Sequence, residues 1–168
     1  MIRLATKYDI PQIVRIDQTT LSGDGLAGYS APADKRLFAD EDKLRAVWAG
    51  NSVEGLVVYV FEEEERILGF ALIRVDPDSV ELDDIIVAIE HQRKGVGTAM
   101  VEFVENLARN LGKRCVTLGT TRNSKTGMPW KSYGFWLKQG YAVEDEIETE
   151  EGRRYGFTEI RFRKKVLT

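Results

Sequence analysis

The chain has 168 residues, is 43% hydrophobic and 30% charged, and carries a formal net charge of −3. That length suits one domain with a core of its own, and the charge balance excludes bulk electrostatic binding to nucleic acid. With one cysteine, Cys115, and one histidine, His91, there is no disulfide framework and no usual zinc site, so no metal is expected.

The opening "MIRLATKYDI" is charged and lacks an apolar signal core, and no apolar run is long enough to span a bilayer. A cytoplasmic protein without membrane contact is expected. "IRLA" reads as a short strand. Thr6, three residues before Asp9, resembles a capping box, and Ile10, Ile13 and Val14 mark one face of a helix running to about Leu21. "SGDGLAGYSAP" (22 to 32) is glycine-rich and polar, hence a loop, either a plain connector or a substrate-facing lid. A second helix is predicted over 33 to 49, with Leu37, Leu44 and Trp48 inward.

A meander follows. "SVEGLVVYVFE" and "RILGFALIRV" are β-rich and joined by the charged turn "EEEE", and "VELDDIIVAI" continues them after the turn "DPDS". Val96, Met100, Phe103, Val104, Leu107 and Leu111 then repeat at helical spacing over about 97 to 111. "KRCVTLGT" is a further strand, "WKSYGFWLKQ" a short helix closed by Gly140, and the C-terminus a hairpin turning around "EEGR". The order implies a single mixed α/β domain over 1–168, with helices on both faces of a mostly antiparallel twisted sheet of about seven strands. Val80 to Thr120 reads as a βαβ unit, which makes its two strands parallel neighbours.

The junction "HQRKGVG" (91 to 97) stands where a strand turns into a helix. A helix N-terminus offers free N–H groups and partial positive charge, and glycine lets a phosphate approach the backbone. The Walker pattern is absent, and Met100 replaces the third glycine of a dinucleotide fingerprint. A turn that merely links strand to helix, or a nucleotide-binding α/β domain, stays open on the local pattern alone.

"QRKGVG" also matches the Q/R-x-x-G-x-G/A signature of the GNAT superfamily of N-acetyltransferases, and "FWLKQGY" (135 to 141) resembles that family's aromatic C-terminal motif. With the opening "IRLATKYDIPQI", the resemblance covers nearly the whole chain in element order. It implies a sheet splayed between the fourth and fifth strands, acetyl-CoA as cosubstrate, and acetyl transfer to a primary amine by direct attack in a ternary complex. Carried over residue by residue, the pyrophosphate loop is Gln92, Arg93, Lys94, Gly95, Val96, Gly97 and Thr98. The edge that pairs with the pantetheine arm is Ile85, Ile86 and Val87, and Trp136 is a further contact; the position matching the family's pantetheine-binding asparagine is Pro129, so Asn123, farther upstream, is either a substitute contact of the arm or a plain loop residue.

An ammonium acceptor has a pKa near ~10.4 and must lose a proton, which a carboxylate can accept. Glu81, Asp83 and Asp84 are candidates. Strict alternation puts Glu81, Asp83, Ile85 and Val87 on one strand face and Asp84 and Ile86 on the other. Glu81 matches the position where some family members carry a base, and Asp83 shares its parity. The Val87 N–H is the candidate oxyanion donor. Trp136 departs from the pattern: many relatives have a tyrosine there as general acid, and an indole N–H is no useful acid. Tyr133, three residues earlier, is the substitute candidate. The alternative reading is a non-catalytic acyl-CoA sensor or adaptor. For the acceptor, Tyr29 and the glycine loop are the specificity candidates, and the acidic runs suit either solvation or a cationic amine. A homodimer is an open option.

Overall fold

A computed structural model describes residues 1–21 and 26–167. In chain order it contains β1 (Ile2–Leu4), α1 (Ile10–Thr20), α2 (Glu41–Val47), β2 (Trp48–Ala49), β3 (Ser52–Val53), β4 (Leu56–Glu63), β5 (Arg66–Val75) and β6 (Ser79–Val87). Then come α3 (Val96–Asn110), β7 (Cys115–Asn123), α4 (Tyr133–Lys138), β8 (Ala142–Ile147), α5 (Glu150–Tyr155) and β9 (Phe157–Lys165). All the strands join one sheet in the order β2-β3-β4-β5-β6-β7-β9-β8, with β1 paired to β4. Every pairing is antiparallel except β6 with β7. That one exception is the βαβ unit around α3, whose crossover helix requires it.

Alternation along the central strands feeds two cores, one on each side. Val58, Val60, Phe70 and Leu72 pack with Ile10, Ile13 and Val14 of α1 and Leu44 of α2. Ala71, Ile73, Val80 and Leu82 pack with Met100, Val101 and Val104 of α3 and with Trp136. No helix among the described residues is long and apolar enough to cross a membrane.

The expected fold class holds, with nine strands in place of about seven. One extra short strand, β2, comes from the end of the segment read as a helix over 33 to 49, and the other, β3, is the start of "SVEGLVVYVFE", which a left-handed turn at Glu54 and Gly55 divides from β4. Within 33 to 49, Arg36 and Asp40 are extended, and Asp40 accepts the Lys43 N–H. It therefore starts a seven-residue helix, and the chain before it forms 3-10 turns. The C-terminal hairpin likewise holds a helical insert at "EEGR". Thr149 accepts the Gly152 N–H to open α5, and left-handed Gly156 (φ +85) ends it. Of the glycine loop, residues 22–25 lie outside the described residues.

The capping box does form: Thr6 accepts the Tyr8 N–H, and the Asp9 carboxylate accepts the Thr6 N–H at 2.8 Å. Asp9 also takes two hydrogen bonds from Arg3, at 2.8 and 2.9 Å, and Arg3 reaches on to Glu62 at 2.8 Å. This network ties β1, the entry to α1 and the end of β4 together. Burial pushes the Asp9 carboxyl up, but Arg3 and Thr6 more than offset that and hold it below the usual carboxylate range. Asp9→Ala should lower the free energy of unfolding by about 2 kcal/mol in urea melts at pH 7. Because the folded-state value is depressed, the gap between wild type and variant should be constant at neutral pH and close as pH falls below ~3.9.

Candidate active site

The sheet opens between β6 and β7. Their parallel ladder covers only Ser79–Leu82 against Cys115–Leu118. Beyond it β7 stays with β9, paired along its whole length to Asn123↔Phe157, while β6 stays with β5 to Val87↔Gly69. The divergence coincides with a β-bulge. Leu72 faces Asp84 and Ile73 faces Leu82, so Asp83 is an extra residue without a partner on β5. A bulge bends and twists its strand, and here it bends β6 where β7 lets go. The resulting cleft has a volume of about 650 Å³.

The bulge also overturns the strict alternation expected for this strand. Leu82, Ile85 and Val87 pack toward α3, and Ile86 packs toward α1. Glu81 therefore does not share a face with Ile85 and Val87. It is buried, accepts two hydrogen bonds from Arg161 (2.8 and 2.7 Å) and one from the Thr117 hydroxyl, and lies outside the cleft. Asp83 and Asp84 both line the cleft. Their surfaces meet the solvent filling the cleft, while protein surrounds that solvent on several sides. Loss of hydration pushes the Asp83 carboxyl up, reinforced by Glu81 and opposed by Arg74 and Arg161. The Asp84 carboxyl is pushed up to about 7, first by loss of hydration and then by Asp83 and Asp17. Arg36 and the Ile85 N–H, which donates to Asp84 at 2.9 Å, offset part of that.

Ile85, Ile86 and Val87 line the cleft along the opened edge. The Ala88 N–H bonds Leu68 of β5, so alternation turns the Val87 N–H toward the opening. The Val87 carbonyl accepts the Gln92 side-chain amide at 2.9 Å, which ties the loop after β6 to the end of the strand. In that loop Arg93 (φ 60) and Gly95 (φ 87) are left-handed. A non-glycine residue there is uncommon, and left-handed residues set among others gather successive N–H groups into a concave nest. Gly95 caps α3, whose first internal bond is Ala99 N–H to Gly95 C=O. Gln92, Arg93, Gly95, Gly97 and Thr98 line the cleft, whereas Lys94 and Val96 do not. A Cβ on Gly97 would meet only the Phe135 and Val87 side chains, at 3.6 to 3.8 Å. The fold itself therefore does not require a bare Cα at that point.

The opposite wall comes from β7 and α4. Trp136 is buried, lines the cleft and packs edge-on against Phe135 and Tyr141. Tyr133 lies outside the cleft, its ring against Phe162 and under the Arg122 guanidinium. Asn123 is also outside: it accepts the Lys125 and Thr126 N–H groups and folds the loop that follows. Tyr29 packs against Trp130, which does line the cleft. Thr120 and Ser132, with hydroxyls 3.3 Å apart, line it as well. Sequence reasoning passed over Trp130 and Ser132. Their signal was position, since the segment after β7 had to face the opening.

The profile of the acetyltransferase (GNAT) family matches residues 25–141. An uncharacterized N-acetyltransferase of the pepI 3′ region of Lactobacillus delbrueckii subsp. lactis is 22% identical over 160 residues, covering 86% of this chain and 90% of that one. Among solved structures, a protein assigned to the GNAT acetyltransferases from Desulfovibrio desulfuricans superposes with a TM-score of 0.74 at 20% identity, covering 99% of each chain. An aminoglycoside 6′-N-acetyltransferase complexed with coenzyme A superposes with a TM-score of 0.71 at 14% identity, covering 100% of this chain and 98% of that one. The chain belongs to the acetyltransferase (GNAT) family, and it is an N-acetyltransferase with acetyl-CoA as its acyl donor.

Proposed function

We propose that the protein acetylates a primary amine by direct attack within a ternary complex. The carrying observation is the sequence of groups along one cleft: the glycine-bearing N-terminus of α3, the opened edge of β6, and two carboxylates at the bulge. The bare Cα of Gly97, which packing does not demand, supports a pyrophosphate against the first turn of α3, with Gln92, Arg93, Gly95 and Thr98 around it. The edge residues Ile85, Ile86 and Val87 present backbone to the pantetheine arm. Bound there, acetyl-CoA supplies the thioester carbon and a thiolate leaving group, and the amine nitrogen forms the new bond as the carbon–sulfur bond breaks.

The Val87 N–H, turned to the opening, is placed to meet charge developing on the thioester oxygen. We assign proton removal to Asp84 with Asp83 beside it. A carboxylate with a value near 7 is matched to accepting a proton from an ammonium at neutral pH and releasing it to solvent. The two titrate as a pair. Glu81 is a poorer candidate because both its oxygens are occupied by Arg161 and Thr117. No protein acid is needed at sulfur, because a thiol with a pKa near ~8.5 leaves readily as thiolate. This replaces the role considered for Tyr133, and leaves Trp136 as an apolar wall. The continuous sheet supports reading 1–168 as a single acetyltransferase domain, and the free, buried Cys115 fits a cytoplasmic setting.

Gly97→Ala should weaken CoA binding at least ~10-fold by calorimetry. Thermal stability should hold or rise, since alanine outranks glycine within a helix by ~1 kcal/mol. Unchanged affinity would remove the pyrophosphate from this helix turn. For the base, kcat/KM should fall as pH drops through about 7. Asp84→Asn should reduce it ~100-fold and abolish that limb. Because limited hydration in the cleft and the neighbouring Asp83 and Asp17 raise the folded-state value of the solvent-exposed Asp84, its charge opposes folding as pH rises from ~4 to about 7. The same variant should therefore melt higher than wild type at pH 8 and no higher at pH 4.

A further inference from the structure

We propose that the Ser132 hydroxyl hydrogen-bonds the departing CoA sulfur and that Thr120 positions it; this rests on the placement of acetyl-CoA described above. Two hydroxyls line the cleft wall opposite β6. They belong to Thr120 on β7 and to Ser132 just ahead of α4, and their oxygens are 3.3 Å apart. A hydroxyl has one proton to donate and can accept two hydrogen bonds. The bond between the two therefore engages one proton and leaves one. Among the described residues neither side-chain oxygen takes part in a further hydrogen bond. Thr120 is 8% exposed, whereas Ser132 is only half-buried. A buried donor without an acceptor is costly, so the Thr120 proton goes to the Ser132 oxygen and the Ser132 proton faces the cleft.

A second observation concerns Ser132 alone. It stands at the N-cap of α4, where a serine oxygen ordinarily accepts an N–H of the first turn. Here its backbone is helical (φ −78, ψ −9) and its side chain makes no such bond. The hydroxyl is turned instead to Thr120 and the cleft. The Trp136 N–H donates to the Ser132 carbonyl at 3.1 Å, so the indole follows the serine by one helical turn, and both border the cleft on the same wall.

Register puts this pair at the level of the chemistry. The β6–β7 ladder ends at Leu82↔Leu118. Asp84 and Thr120 each lie two residues past that pair, on the two strands that part there, and both line the cleft. An amine served by Asp84 approaches the thioester carbon from the β6 side, which leaves the sulfur toward β7. As the nitrogen–carbon bond forms, the carbon–sulfur bond breaks with its electron pair on sulfur. The protons shed by the nitrogen leave through Asp84 to solvent. Leu118 and Trp136 make the wall around the sulfur apolar, and a thiolate short of hydration there needs a donor. Ser132 keeps its proton and supplies a charge-assisted hydrogen bond. Lys131 also lines the cleft, but it lies over the Trp130 ring, 5.3 Å from its centre.

The test compares CoA with desulfo-CoA, the same arm without the thiol, by calorimetry at pH 6.5 and pH 9.5. A free thiol has a pKa near ~8.5, and a hydrogen bond to the bound thiolate should lower it by about 1 unit. In wild type the preference for CoA over desulfo-CoA should therefore grow about 10-fold between the two pH values. Ser132→Ala and Thr120→Val should each hold that growth below ~3-fold. Ser132→Thr, which keeps a hydroxyl, and Lys131→Gln should match wild type. Growth that survives in Ser132→Ala or Thr120→Val, or that is lost in Ser132→Thr or Lys131→Gln, would overturn the proposal. Wild type that binds both ligands without such growth would overturn it too, and would leave the acetyltransferase reading intact. Wild type that binds neither ligand would strike the placement of the cosubstrate in this cleft, and the proposal with it.

Discussion

The unequal loyalty of two strands shapes this protein. β7 hydrogen-bonds β9 over nine residues but β6 over only four. β6 has the opposite commitment, to β5, and the bulge at Asp83 bends it away at the point where its ladder with β7 ends. An exposed strand edge inside a sheet is normally a liability, since each unpaired N–H and C=O seeks a partner. Here the unpaired edge lines the cleft, and in the proposed reading the extended arm of acetyl-CoA is its partner. Local chain geometry at one residue thus decides where the sheet opens.

The same bulge sets the electrostatics. On a regular strand Asp83 and Asp84 would point to opposite faces, and one of them would lie among apolar side chains. With the extra residue both border the cleft, where limited hydration and repulsion from neighbouring carboxylates push both carboxyls up, that of Asp84 to about 7. Glu81, two residues earlier, is still within the regular ladder and is held by Arg161 and Thr117. Three acidic side chains within four residues therefore have two different fates, set by which strand supports each one.

Much of the architecture was readable in the sequence because its signals are local. The spacing of Met100, Val104 and Leu107, the β-rich runs of β4 and β5, and the glycines of "QRKGVG" each act within a few residues. The family resemblance followed from motif spacing, and the family match and the fold agree with it. What could not be read was non-local. Arg161 reaches Glu81 across 80 residues, Phe162 takes up the ring of Tyr133, and β5 chooses a register that leaves Asp83 over. Asn123 looks like a ligand contact in a loop, yet its carbonyl is spent on two N–H groups of that loop. Asp40 was misjudged for a different reason: a residue type favoured at helix starts was counted as helix interior.

Backbone amide exchange with and without acetyl-CoA tests most directly the claim that the opened edge and the α3 turn hold one extended ligand. The account predicts that added acetyl-CoA slows exchange at Val87 and at residues 95–98, at both ends of the cleft at once. It predicts little change in β4, whose amides already belong to the closed half of the sheet. Protection confined to one end, or none at saturating acetyl-CoA, would contradict the placement of the cosubstrate in this cleft.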